Sequence, residues 1–394
     1  MSNNSVAFTE KPSREKHALQ FALLQGEGEP AFVNLEEGAI RIAKALGIKN
    51  PNKKWLEKTM EKIGLNPCVE IILFSKNVCN LTTVNVKAFV KPDNTLDLNG
   101  LLEAQKLSAR IGLRMTLAKL ELPEWDKIQK RDRLLGCSLT GWKDAMDMLG
   151  YTEEQENELK ELLHKTAREE ADRYSKYLRV NTPLLVTAVK PEGTLSQVAG
   201  GVSSGLHWSH APYYIRRIRI NATDPLVQVA KELGWTIHAE VGTEGYKHTK
   251  DLAKPEVIEK AKTIVIDFPV ATGAKRTKDD ITVKEQFDNY FSFQKYYTEH
   301  NTSNTITVKE HEWEEAEQIV WDNWNNFVGV SFLAHDGGTY TLAPYESITK
   351  KQYEELKSKM KPFDPKLLRK YEFAETEADI ENMESCEQGV CPIR

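Results

Sequence analysis

Apolar residues recur at two spacings along this chain, and each change of spacing marks a change of element. Residues 36–46 and 53–63 carry apolar side chains at helical spacing, and Lys49-Asn50-Pro51-Asn52 separates them, its proline stopping the first. The period then shortens: 69–74 (VEIILF) reads as a buried strand, and 81–90, rich in Thr and Val, as a second. The middle is helical. Leu98, Leu101, Leu102, Leu107, Ile111 and Met115 form an apolar stripe, and 123–134, 142–149 and 152–177 continue the pattern, the last with a heavily charged face. A strand-like run at 184–189 (LLVTAV) leads straight into Lys190-Pro191-Glu192-Gly193-Thr194, and 213–220 (YYIRRIRI) alternates apolar and basic residues. Further strands are expected at 263–268, 305–308 and 328–333, among helices near 224–233, 280–298 and 313–326. This alternation predicts an α/β architecture with largely parallel strands. Residues 1–25 read as a polar N-terminal extension, 26–372 as the folded body, and 373–394 as an acidic, flexible tail.

Composition narrows the class. The 394 residues include 53 basic and 58 acidic side chains, a net charge of −5, with 40% hydrophobic and 28% charged residues. That excludes wholesale disorder and leaves room for two or three domains or one large one. The near-balanced charge argues against a nucleic-acid partner held by bulk electrostatics. No apolar run approaches the roughly 20 residues of a membrane span, and MSNNSVAFTEKPSREK has no signal-peptide core. A soluble chain in the cytoplasm (the host's, if phage-encoded), with reduced thiols, is the default expectation.

Five cysteines are present, Cys68, Cys79, Cys137, Cys386 and Cys391, too few and too scattered for a disulfide scaffold, and no metal site is expected. Cys68 lies in Asn66-Pro67-Cys68-Val69-Glu70, where the proline keeps Asn66 extended at a loop tip. If extended, Cys68 and Glu70 share a side. A carboxylate beside a thiol disfavours thiolate, so the pair suits hydrogen-atom chemistry at sulfur with the carboxylate as a separate base; two buried, apolar cysteines are the plain alternative. Pro191-Glu192-Gly193-Thr194-Leu195-Ser196 follows a strand and can offer free N–H groups to a phosphate, or simply cap a helix. Cys386 and Cys391 on a polar arm suit disulfide exchange, a metal clip or an incidental pair. His207 and His210 read as core or hydrogen-bonding histidines, Arg216, Arg217 and Arg219 as salt-bridge partners or, less commonly, phosphate contacts, and Cys137 as packing only.

NPCVEIIL, the CNL at 79–81, VKPEGTLSQ and the terminal C-x4-C together resemble the C-terminal half of the catalytic chain of ribonucleotide reductases. GEPAFVNL, GGVSSGLHWSHAPYYIRRIRI, NTSNTITV and VGVSFL bring it closest to the adenosylcobalamin-dependent, class II, monomeric triphosphate-reducing type, over about residues 26–394. The resemblance implies the second half of a ten-stranded α/β barrel with a central finger loop near 66–79. It casts Cys68 as the thiyl-radical cysteine, Glu70 as the base for the 3′-hydroxyl and Asn66 as a ribose-binding amide. Cys79 matches one of two redox cysteines, and 191–196 the loop for the substrate phosphates. Cys386 and Cys391 match a tail pair recycled by thioredoxin or a similar donor. Cofactor contacts fall in about 223–282 and 336–375, without individual residues.

The departures are as informative. The family's second redox cysteine precedes the finger loop by several hundred residues, whereas only residues 1–67 precede Cys68. The first half-barrel and the allosteric region are therefore expected on a partner chain, and this chain is expected to be one half of a split enzyme or a fragment. The oxygen-dependent class I is the runner-up, but its adjacent Tyr-Tyr pair is replaced by separated Tyr340 and Tyr345 in GGTYTLAPYESI, and no glycyl-radical motif is present. A truncated, non-catalytic module is the remaining alternative.

Overall fold

The strand Asn80–Asn85 runs parallel to Leu135–Thr140, with Asn80 opposite Leu135 and Asn85 opposite Thr140. It belongs to the first of two units, residues 1–210 with 272–336 and residues 211–271 with 337–394. The computed structural model describes residues 4–335 and 341–372.

In the first unit, residues 184–189 lie beyond Leu135–Thr140: the N–H groups of Leu135 and Cys137 donate to Leu185 O at 3.0 Å and Val186 O at 2.8 Å. Parallel bridges Cys137–Thr187 and Val189–Thr302 carry the order across to Thr305–Val308, which pairs in parallel with Gly329–Ala334. There the direction reverses. Gly329–Ala334 meets Ala31–Asn34 antiparallel at Val330–Phe32, and Ala31–Asn34 runs parallel to Ser5–Phe8. Among the described residues the strands do not close into a barrel. The helices Leu98–Met115 and Glu153–Leu178 cover one face, packing Ala109, Leu113, Ala167 and Ala171 on Leu135, Cys137 and Val186. A second core gathers Phe21, Leu24, Phe32, Phe287, Tyr290, Phe327 and Phe332.

The second unit is antiparallel. Tyr213–Asn221 pairs with Thr263–Ala271 along its whole length and with Tyr345–Ser347, and Ile237–Ala239 pairs with Thr263–Ala271. Arg217 is a salt-bridge partner, as expected, to Asp267 at 3.0 Å and Glu346 at 2.6 Å.

Several expectations change. Residues 1–25 are not an extension: Ser5–Phe8 joins the sheet, and Arg14–Glu27 buries Phe21 and Leu24. Ser13 caps that helix by accepting from Lys16 N–H, and its sparse apolar stripe is diluted by charge, which hides it in the sequence. Leu135–Thr140 is an unforeseen strand, buried at every position and so without alternation. Residues 184–189 bridge two strands rather than form a regular one, and 81–90 ends at Asn85 in a tight turn, Val86–Phe89. The stripe of Leu98–Met115 splits. Its buried face is Leu101, Ser108, Ala109 and Leu113, while Leu107, Ile111 and Met115 are 47%, 49% and 42% exposed.

Candidate active site

Ile63–Leu65 and Ile72–Phe74 form an antiparallel hairpin, so of the strand expected at 69–74 only Ile72–Phe74 is regular, and its partner starts where the helix 53–63 was expected to end. The hairpin tip is folded by Asn66. The Asn66 carbonyl accepts from Val69 N–H at 2.8 Å, and its Oδ1 accepts from Ile71 N–H at 2.9 Å. Val69 sits at φ 65°, a left-handed conformation that a β-branched residue adopts only under external restraint. Asn301 provides it: Nδ2 donates to Val69 O at 2.8 Å, and the Asn301 N–H donates to Glu70 O at 3.1 Å. A side chain at Gly329 would collide with Val69 Cγ1, so the tip also needs that glycine.

The backbone here is not extended, which corrects the expectation that Cys68 and Glu70 share a side. Cys68 is exposed and Glu70 is buried at 2%. They remain electrostatic neighbours: partial burial and the Glu70 charge push the Cys68 thiol up, opposed by Lys190. Burial pushes Glu70 up too, against a hydrogen bond from the Asn66 side chain and the charge of Lys190. Cys79 is pushed up to about 11 by burial, then by Glu70 and Cys68. The three groups thus sense one another, and both sulfurs are held as thiols near neutral pH. Glu70 Oε2 is buried without a hydrogen-bond partner, an acceptor left open.

Cys68 lines a cleft of about 120 Å³ with Pro191, Asn304 and Ser331. Asn304 Nδ2 is buried there without an acceptor. In 191–196, Glu192 has φ 57° and a buried side chain. Ser196 N–H is consumed by Glu192 O at 3.1 Å, Ser196 Oγ meets Ser204 Oγ at 2.9 Å, and the helix that follows is only Leu195–Val198. Gly193, Thr194 and Leu195 keep their N–H groups free of backbone partners among the described residues.

A family model described as "Ribonucleotide reductase, barrel domain" matches residues 49–178. An adenosylcobalamin-dependent ribonucleoside-triphosphate reductase of Lactobacillus acidophilus is 28% identical over 422 residues, covering 100% of this chain and 52% of that protein. One from Euglena gracilis is 30% identical, covering 84% of this chain and 43% of its own length. A crystal structure of B-12 dependent (class II) ribonucleotide reductase superposes with a TM-score of 0.75 at 25% identity, over 93% of this chain and 51% of that one. The likeness to ribonucleotide reductases extends over the whole chain. The chain spans about half the length of the curated relatives it matches. The Actinobacillus ureae class Id alpha subunit, at 15% identity and a TM-score of 0.52, shares the fold.

Within this frame, two residues outside the quoted finger motif prove central. His300 Nδ1 accepts from Ile72 N–H at 3.1 Å and its Nε2–H donates to Leu135 O at 2.9 Å, while burial lowers its pKa to about 4. Asn301 opens the NTSNTITV motif, but its grip on the finger had no sequence signal beyond a run of polar residues inside an apolar segment. His207 is a hydrogen-bonding core histidine, with Nδ1–H donating to Ser204 O at 2.9 Å and Nε2 accepting from Thr305 N–H at 3.2 Å. Cys386 and Cys391 lie outside the described residues, as do 336–340 and 373–375 of the expected cofactor segments. Among the described residues no cluster of His, Cys, Asp and Glu is placed to hold a metal ion, and no helix is long and apolar enough to cross a membrane.

Proposed function

We propose that this chain is the finger-loop half of a two-chain, adenosylcobalamin-dependent ribonucleotide reductase acting on ribonucleotides, with triphosphates favoured by the named relatives. The observation that carries the reading is an exposed Cys68 at a restrained hairpin tip, with a buried carboxylate and a second thiol within electrostatic reach.

The residues fit a group that must reach the Cys68 sulfur: that sulfur opens onto a cleft whose wall carries the unpartnered Asn304 Nδ2. Adenosylcobalamin, when bound, supplies the radical that removes the hydrogen atom from the Cys68 thiol. The Cys68 thiyl takes the 3′-hydrogen of the ribose and gives it back after the 2′-carbon is reduced, and Glu70, whose Oε2 lacks a partner, accepts the 3′-hydroxyl proton and returns it. Asn66 holds the tip and Glu70 together. The 2′-hydroxyl leaves as water. Two electrons and two protons come from Cys79 and a cysteine of the partner chain, which become a disulfide. Residues 191–196 receive the phosphates. Cys386 and Cys391 exchange with the disulfide and are re-reduced by thioredoxin or a similar donor.

The partner requirement is supported by open surface. Asn80–Asn85 pairs only with Leu135–Thr140 among the described residues, leaving an edge one residue after Cys79. Leu107, Ile111 and Met115 add exposed apolar area.

The test is to express the chain with and without a candidate N-terminal half and assay nucleotide reduction with adenosylcobalamin and a dithiol. Turnover only with the partner is expected. Activity of the chain alone overturns the split-enzyme reading, and no activity or cobalt(II) signal with the partner favours a non-catalytic module. Cys386→Ala is expected to spare a first turnover and block recycling by thioredoxin.

A further inference from the structure

Two buried carboxylates near the finger each have an oxygen without a hydrogen-bond partner, Glu70 Oε2 and Glu192 Oε2. The Glu192 side chain is 0% exposed, its Oε1 accepts from Thr83 Oγ1, and its Oε2 lies 3.7 Å from Lys190 Nζ. The backbone explains why that ammonium sits here. Val189 N–H donates to Asn301 O at 3.2 Å and Asn301 N–H to Glu70 O at 3.1 Å, so one residue separates this strand from the finger tip. Lys190 N–H is fixed on Ser138 Oγ at 2.9 Å, and its carbonyl packs on Gly205, where a Cβ would lie 2.6 Å away. The left-handed turn at Glu192 then folds its carboxylate back toward the lysine.

We propose that Lys190 is a positioning residue whose ammonium, anchored on the buried Glu192 carboxylate, supplies the counter-charge for the Glu70 carboxylate and the Cys68 sulfur. A carboxylate as deeply buried as Glu70 is kept ionised only by a nearby opposite charge. The groups acting there fit: Lys190 favours the ionised forms of Cys68 and Glu70, Glu192 opposes ionisation of Glu70, and Glu70 and Cys68 together oppose that of Cys79. This deepens the reading above and rests on it for the role of Glu70 as base. Lys190 touches no reacting atom in this account. It sets the pH range over which the base is ready.

The test uses the full chain and follows alkylation of Cys68 by iodoacetamide against pH, with peptide mapping. Lys190→Met is expected to move the midpoint upward and slow the reaction at fixed pH by roughly three- to tenfold, and Lys190→Arg to restore both. Buried Cys137 must stay unmodified as a sign of an intact fold, and Lys190→Gln replaces Lys190→Met if it does not. An unmoved midpoint, or a shift that arginine does not reverse, overturns the proposal. In the enzyme completed with its partner half, the acid limb of kcat/KM is expected to move upward in Lys190→Met, and an unmoved limb overturns the link to Glu70. If the wild-type pair shows no turnover, the catalytic reading fails while the alkylation comparison still decides whether Lys190 serves the finger.

Discussion

Cys68 and Cys137 both hold their protons more tightly than an ordinary thiol, for different reasons. Cys137 lies wholly buried in the strand Leu135–Thr140, pushed up to about 11 by burial although the Thr82 and Ser108 hydroxyls bond its sulfur. Cys68 is exposed, and the charge of Glu70 adds to a partial burial. A raised thiol pKa therefore does not distinguish a reactive cysteine from a packing one. What distinguishes them is access, plus an acceptor for a proton that is not the sulfur's own.

Activity separates the two most sharply. In the assembled enzyme, Cys68→Ala is expected to lower turnover by more than about 10³-fold. Cys137→Ala should leave turnover within about threefold and cost roughly 1–2 kcal/mol of stability for the cavity it opens. Equal losses in a turnover assay would erase the distinction.

The next effect concerns what holds the tip. Asn301 donates to Val69 O and to Gly329 O at 3.2 Å, and its Oδ1 accepts from Tyr290 OH at 3.1 Å and Gln294 Nε2 at 2.9 Å. Asn301→Ala strands buried partners on both sides, and a loss of about 2–4 kcal/mol in denaturant unfolding is expected. A change below 0.5 kcal/mol, roughly the size of a surface substitution, would mean that the finger holds its shape without this clamp.

A smaller change sharpens the electrostatic half of the comparison. Glu70→Gln removes the negative neighbour of Cys68 and Cys79, so both thiols should ionise more readily. Alkylation of Cys68 at fixed pH is expected to rise about tenfold. Cys137 should not respond, since the acidic group acting on it is Glu299.

The sequence made the chemistry of the finger legible because it is local: Asn66, Cys68 and Glu70 stand within one motif. It also showed most helices, whose spacing survives burial of one face. The shape of the finger was not legible, because the left-handed turn at Val69 is imposed by Asn301 and Gly329, far along the chain. Leu135–Thr140 escaped notice since burial on both faces removes the alternation that marks a strand. Glu192 was read as part of a phosphate loop and Lys190 only as the residue leading into it, and only the fold shows them beside Glu70.

The smallest effect is a pH response that should reach the finger before the strand behind it. His300 accepts from Ile72 in the finger and donates to Leu135, and the first of these bonds needs the neutral ring. Its folded pKa, about 4, lies below the ordinary histidine value of 6.5, so the neutral ring's stability is complete above pH 6.5 and is lost as pH falls toward 4. At pH 6 the loss is about 0.8 kcal/mol. Protonated Nδ1 cannot accept, so Ile72 N–H loses its partner, whereas His300 Nε2 donates to Leu135 O in either state. Amide exchange, corrected for intrinsic rate, should therefore show protection of Ile72 falling between pH 6.5 and 4 ahead of Cys137, whose N–H bonds Val186 O. Simultaneous loss at both amides would mean that acid opens the whole sheet, and the finger would then have no hinge of its own.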